Sequence, residues 1–284
     1  MTKTHAEPIL SLFFFNQSHG LAITPTYLLE TNDGGRTFEK RLSQEEGSLQ
    51  SLVFVDTRTG WIAGSELRNG VASPLVLFTV DGGVTWQKRS VDSAGRLSAV
   101  SFCTRDVRFA AGGNTIVQTT DGGDTWSQQY TGEREDRFYG IYCLSPDEIW
   151  AVGESGLVLN TQDGGKTWAR KDLRLDVTLS RIRFFGDTGW IVGFSGTLLR
   201  TRDRGTNWEA VSLDTGQPLL DIYFEGSTGW IVGGGGTILR SADAGKSWHD
   251  EPRLTNKDLL TLFFIDRLHG WIGGESQTVL SRGE

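Results

Sequence analysis

The stretch TTDGGDTW, residues 119–126, decides the fold. Variants of it stand at 31–38 (TNDGGRTF), 79–86 (TVDGGVTW), 161–168 (TQDGGKTW), 201–208 (TRDRGTNW) and 241–248 (SADAGKSW). The six aspartates, Asp33, Asp81, Asp121, Asp163, Asp203 and Asp243, are 48, 40, 42, 40 and 40 residues apart. A fixed period of about 40–45 residues is the size of one four-stranded propeller blade.

Two further phrases keep the same period and occur seven times each. One is GWIAG-like: clear at 60–64, 189–193, 229–233 and 270–274, weaker near 19–23, 107–112 and 148–153. The other is an apolar residue, any residue, then usually Phe, as in Leu12–Phe14, Leu52–Phe54 and Ile222–Phe224, with Ile141–Cys143 the variant. Spacing of two is that of a strand, and runs apolar on both faces suit strands covered on both sides. Each repeat therefore reads as strand, turn, strand, strand, box turn, strand. The expected fold is all-β: one seven-bladed β-propeller of four-stranded blades with Asp-box turns, spanning 1–284 as a single domain. The seventh repeat lacks a fourth strand, so residues near Lys3–Glu7 are expected to supply it and close the ring, which would protect the sheet edges. The insertion at 66–74 accounts for the spacing of 48.

All ten tryptophans fall in these phrases: Trp86, Trp126, Trp168, Trp208 and Trp248 in the box, Trp61, Trp150, Trp190, Trp230 and Trp271 in the second phrase. Residues placed so regularly pack between blades, where losing a large aromatic costs roughly 3–5 kcal/mol. The box itself has the composition of a turn. Asp accepts from nearby backbone N–H groups, Gly takes positive φ, and Thr starts the next strand. One carboxylate per repeat cannot build a calcium sphere of six to eight oxygens. The six box aspartates are read as structural, with no metal and no cofactor expected.

These linked phrases, Leu-x-Phe, Gly-Trp-x-x-Gly and Asp-Gly-Gly-x-Thr-Trp, are Asp-box (bacterial neuraminidase) repeats. Across essentially the whole chain they resemble the photosystem II stability/assembly-factor-like family of propellers. The resemblance implies a non-enzymatic scaffold that helps assemble a membrane photosystem complex, with a patch of arginines as its mark. The rival class is a carbohydrate-binding or glycoside-hydrolysing propeller of the sialidase or xyloglucanase kind. Against it, no proline follows an Arg-Ile or Arg-Leu pair, so the sialidase motif is absent, and one propeller lacks the cleft that xyloglucanases form between two. No catalytic residues are assigned. His19 and His269 share a turn slot, and no catalytic triad or metal spacing emerges.

Charge is the main irregularity. The chain carries −7, which argues against a nucleic-acid partner. Between Lys166 and Arg204, however, nine basic residues face four acidic ones. Arg181 and Arg183 stand in first-strand slots that are otherwise small, apolar, aromatic or acidic, and Asp221 in the next repeat is an available partner. Arg181, Arg183, Arg200, Arg202 and Arg204 are the expected binding patch for an acidic protein partner, a membrane-protein subunit or its exposed segment. Recognition is expected on the face carrying connections 65–75, 92–96, 131–137, 174–178 and 214–218. Of Arg200 and Arg181, only Arg181 is expected to matter for stability. A monomer is expected. Cys103 and Cys143, the only cysteines, imply no disulfide framework. No secretory signal opens the chain and no run is long enough to span a bilayer; a complete chain would be cytoplasmic, a trimmed one periplasmic or lumenal.

Overall fold

A computed structural model describes residues 6–93 and 95–282. Among these residues every element is a strand apart from three single 3-10 turns. The first repeat folds as an antiparallel meander of Ser11–Phe14, Gly20–Ile23, Tyr27–Thr31 and Glu39–Ser43. The same four-strand order recurs in the next five repeats, and the last shows three strands among the described residues. Repeats 2 and 3 fuse into one eight-stranded sheet, because their outermost strands, Gln87–Asp92 and Thr125–Thr131, pair in parallel. The first strands of successive repeats touch in order, and that of the last, Leu259–Phe264, touches Ser11–Phe14. The sheets stand around a common axis.

The core consists of layers between neighbouring sheets. Trp150, Val152 and Val158 of repeat 4 pack on Leu179, Ile182 and Phe184 of repeat 5. Trp190 meets Phe224 in the same way one repeat later, with stacked rings 5.2 Å apart. All five second-phrase tryptophans are at most 5% exposed. At the junction of last and first repeats, Trp271 stacks on Phe14 at 3.8 Å and its Nε1–H donates to the Gly34 carbonyl at 2.9 Å.

The box turns are tied by their own side chains. Asp33 accepts from the Thr31 hydroxyl (2.8 Å), the Thr37 amide (2.9 Å) and the Thr37 hydroxyl (2.6 Å), while the Gly35 amide donates to Thr31 Oγ1 (2.9 Å). The same set recurs at Asp81, Asp121 and Asp163. Asn207 replaces the threonine at Asp203, and Ser247 at Asp243. The amide reached lies four residues on, further than a simple Asx turn requires. At Arg204 and Ala244, which take the first box glycine's place, φ is +57° and +59°, the left-handed region that suits glycine.

Two expectations change here. Cys103 and Cys143 form a disulfide with Cα atoms 5.2 Å apart. Their separation of 40 residues is one repeat period, so the fold sets them side by side in adjacent sheets. A cysteine count cannot show that. The insertion at 66–74 lengthens a hairpin rather than forming a loop, as Gly60–Arg68 pairs with Val71–Thr79 along nine residues. The expected closing strand near Lys3–Glu7 lies mostly outside the described residues. At its last residue the Gln277 amide donates to the Glu7 carbonyl (3.0 Å), and just beyond it the Ile9 amide donates to that of Gly274 (2.9 Å).

Candidate binding site

The start of every first strand faces the axis at one end of the ring. Leu10, Gln50, Ser98, Tyr139, Ser180, Leu220 and Leu260, one from each repeat, border a single cavity of about 1140 Å³. Connections at this end complete its wall: Ala72 of the long hairpin, Arg96 before repeat 3, and Arg134 and Arg137 before repeat 4. Arg181 projects from the channel wall. Among the described residues of the lining, four arginines thus face one carboxylate, Glu154. Arg96 and Arg134 take part in no ion pair among the described residues. Arg137 Nη1 donates to the carbonyls of Arg134 (2.8 Å) and Asp136 (2.7 Å), while Asp136 is held by Arg170 at 2.7 Å and by the Glu133 amide. These bonds brace the loop that presents the arginines. Tyr139 and Phe194 also line the cavity, 38% and 43% exposed, so it offers aromatic surface beside positive charge. Such a site suits a chain carrying carboxylates and apolar side chains.

The five arginines read from the sequence do not form one patch. Arg181 lines this cavity, with its Nε 3.5 Å from the buried Asp221 carboxylate. Burial pulls its guanidinium below the usual arginine range, and Asp221 partly restores it. Arg183, one strand alternation deeper in the channel, donates from Nε and Nη2 to the same oxygen at 3.3 Å. Arg200 lies on the outer side of the sheet, where it bonds Glu209 at 2.7 Å and the Gly245 carbonyl at 3.2 Å and lies 5.6 Å from the centre of the Trp190 ring. Its side chain is 12% exposed and packed among these partners. Arg202 is exposed beside Glu209. Arg204 sits in a box turn, at the opposite end of the strands from the cavity, and pairs with Glu148 (2.9 Å) and Asp187 (3.2 Å).

Arg96, Arg134, Arg137, Tyr139 and Phe194 were missed as residues. Connections 92–96 and 131–137 pointed to their neighbourhood, but nothing local marks them as axial. His19 and His269 occupy surface turns, bonded to Glu30 and Asp266 at 2.8 and 2.9 Å. Among the described residues no cluster could hold a metal, and no helix is long and apolar enough to cross a membrane.

Sheets around an axis with a basic, aromatic-rimmed cavity at one end define a β-propeller with an axial cavity. The family model described as photosynthesis system II assembly factor YCF48 matches residues 50–134, 130–219 and 216–282, and the chain belongs to this family. Among curated relatives, it is 40% identical over 58 residues to the chloroplastic photosystem II stability/assembly factor HCF136 of Oryza sativa subsp. japonica. It is 36% identical over 64 residues to the photosystem II assembly lipoprotein Ycf48 of Synechocystis. These segments cover 19% and 22% of this chain, and 14% and 18% of the relatives' length. A solved structure described as YCF48 bound to D1 peptide superposes with a TM-score of 0.78 at 22% identity, over 99% of this chain and 95% of that one. A GH74 xyloglucanase from Xanthomonas campestris gives 0.75 at 11% identity, over 98% of this chain and 52% of that one. At such identities the likeness is one of fold.

Proposed function

We propose that this protein is a non-enzymatic assembly scaffold: a single, monomeric seven-bladed propeller whose axial cavity receives an extended, acidic segment of a membrane-protein subunit. The observation that carries this reading is the cavity itself, four arginines and two exposed aromatic rings against one glutamate, in a family named for an assembly factor. The binding arginines are Arg181 with Arg96, Arg134 and Arg137, rather than the run through Arg204. Charge-assisted bonds to carboxylates are worth about 1.5–3 kcal/mol each, so two or three of them can select an acidic segment. Hydrolysis of glycosides by paired carboxyls needs two such groups, and the lining offers one. In this reading the box aspartates act only as turn staples. Closure of the ring by the N-terminal segment is supported by the bonds that Glu7 and Ile9 make to the last repeat. The disulfide suits an oxidising compartment.

The test is fluorescence anisotropy with a labelled D1 peptide as the probe. The parent should bind, and raising salt should weaken binding as it screens exposed charge. The Arg96→Ala/Arg134→Ala variant should bind at least tenfold more weakly with an unchanged melting temperature. Absence of binding by the parent, or parent-like binding by the variant, overturns the reading.

A further inference from the structure

At the other end of the strands, a groove of about 690 Å³ opens between repeats 2 and 3. It is bordered by turns that join first to second strands and by a box glycine, Gly122, and it shares no lining residue with the axial cavity. Its origin is a broken packing rule. In repeats 1, 2, 5, 6 and 7 a phenylalanine ending or near the end of the first strand pairs with a glycine near the start of the second: Phe14 with Gly20, Phe54 with Gly60, Phe184 with Gly189, Phe224 with Gly229, Phe264 with Gly270. The ring lies over the glycine so closely that a Cβ there would come within 2.3–2.7 Å of it. Repeat 4 changes both partners, to Cys143 and Ile149. Repeat 3 keeps Phe102 but sets Arg108 opposite it.

The Arg108 guanidinium lies 4.0 Å from the centre of the Trp61 ring and 5.3 Å from that of Phe102. Phe102 is only half-buried, whereas its five phenylalanine counterparts are at most 8% exposed. Arg108 is 2% exposed, yet it enters no ion pair among the described residues. Its Nη1 and Nη2 donate to the carbonyls of Asp106 and Arg105, and its Nε has no partner. Trp61 Nε1, in the same groove wall, is also buried without one. The groove's acids do not answer this charge. Asp56 is bound by the amides of Arg58 and Thr59 at 2.7 Å. Asp106 and Asp121 act on Arg108 only through space, and burial outweighs them, pulling the guanidinium down to about 10. Arg105 at the rim adds a second cation that forms no ion pair among the described residues and acts on Asp56 only through space. A buried charge with no carboxylate bonded to it is costly, and this one lies in a groove whose other walls include Val55, Phe78, Val80 and Phe102.

We propose that this groove is a second binding site, for a carboxylate carried on an apolar body: an Asp or Glu side chain flanked by apolar residues in a polypeptide segment docking on this face. The donors are few, a guanidinium edge and Arg105. They match the two oxygens of a carboxylate better than the three of a phosphate group. Val55 and Val80, 44% and 50% exposed, extend the apolar wall past the charge, as a flanking side chain needs. The site does not depend on what fills the axial cavity.

Arg108→Gly tests the assignment, because it restores the residue pair of the five regular repeats and lets Phe102 settle over the glycine. The probes are the capped peptide acetyl-Val-Phe-Glu-Val-amide, its glutamine counterpart, and free phenylpropionate, titrated while the Trp61 indole N–H resonance is followed. In the parent, the glutamate peptide should shift that resonance, with the glutamine peptide and phenylpropionate binding at least tenfold more weakly. Arg108→Gly should melt no lower than the parent and show no glutamate-dependent binding. Equal affinity for glutamate and glutamine peptides overturns the carboxylate, equal affinity for phenylpropionate overturns the polypeptide source, and silence of the resonance at millimolar peptide overturns the site. A variant that melts below the parent would make Arg108 a structural residue and end the proposal.

Discussion

Asp221→Ala should destabilise the ring more than any other single charge removal at the axis. The Asp221 side chain is 1% exposed and joins three sheets. Its Oδ1 accepts from Arg183 at 3.3 Å and lies 3.5 Å from Arg181 Nε in the preceding repeat, and it also takes its neighbour Ile222's amide at 3.0 Å. Its Oδ2 accepts the Leu262 amide of the following repeat at 3.2 Å. Breaking a buried pair costs about 3–5 kcal/mol, because the surviving charge is left without a partner. Here the two arginine side chains are 25% and 37% exposed and can turn toward channel water, so the lower end, about 3 kcal/mol, is expected. With an unfolding entropy of about 2.1 cal/mol/K per residue, a chain of this length loses about 5 °C of melting temperature for that cost. Tryptophan fluorescence melts of Asp221→Ala, Arg183→Ala and the double variant measure both the loss and the coupling, expected at about 1–2 kcal/mol. Additive single effects, or an Asp221→Ala melt within a degree of the parent, would show that the carboxylate does not join the three repeats.

Three other outcomes follow from the same geometry. Hydrogen bonds from the hydroxyls and then the amides of Thr37, Thr85 and Thr167 hold Asp33, Asp81 and Asp163 at about 2, and the Asn207 amide and side chain hold Asp203 there. Groups depressed on folding stabilise above their unfolded value of about 3.9 and lose that contribution as pH falls through the folded one; the melting temperature should therefore drop between about pH 4 and pH 2, and a flat profile there would contradict the staple role. Reducing Cys103–Cys143 opens a 40-residue loop, which should cost about 2–4 kcal/mol; Cys103→Ser/Cys143→Ser should melt like the reduced parent and ignore reductant. Ala244→Gly should stabilise by up to about 1 kcal/mol, because it relieves a left-handed backbone, and a lower denaturation midpoint would count against that strain.

The fold was legible because each of its rules is local and repeated. A box needs its Asp, Thr and glycines within eight residues, and a first strand needs its apolar pair at spacing two. The site was not, because a meander sends sequence neighbours to opposite ends of a sheet. Arg181 and Arg204 lie 23 residues apart, yet one reaches the axial cavity and the other a box turn on the far face. Arg96 and Arg137 lie about one period apart and meet at the axis. Cys103 and Cys143 meet for the same reason, and nothing about either residue alone announces it. Charge therefore has to be compared down the columns of the repeat, at equivalent slots, instead of along the chain. The column opposite the first-strand phenylalanine holds five glycines, Ile149 and Arg108, and the isoleucine is matched by the loss of the phenylalanine to Cys143. Arg108 is the one member that breaks the steric rule without a compensating change. The fold gives this cation two carbonyl acceptors and the Trp61 face but no bonded carboxylate, so the proposed account of it lies outside the fold. Should Arg108→Gly prove less stable than the parent, the stacking of the guanidinium on Trp61 would itself supply the missing compensation.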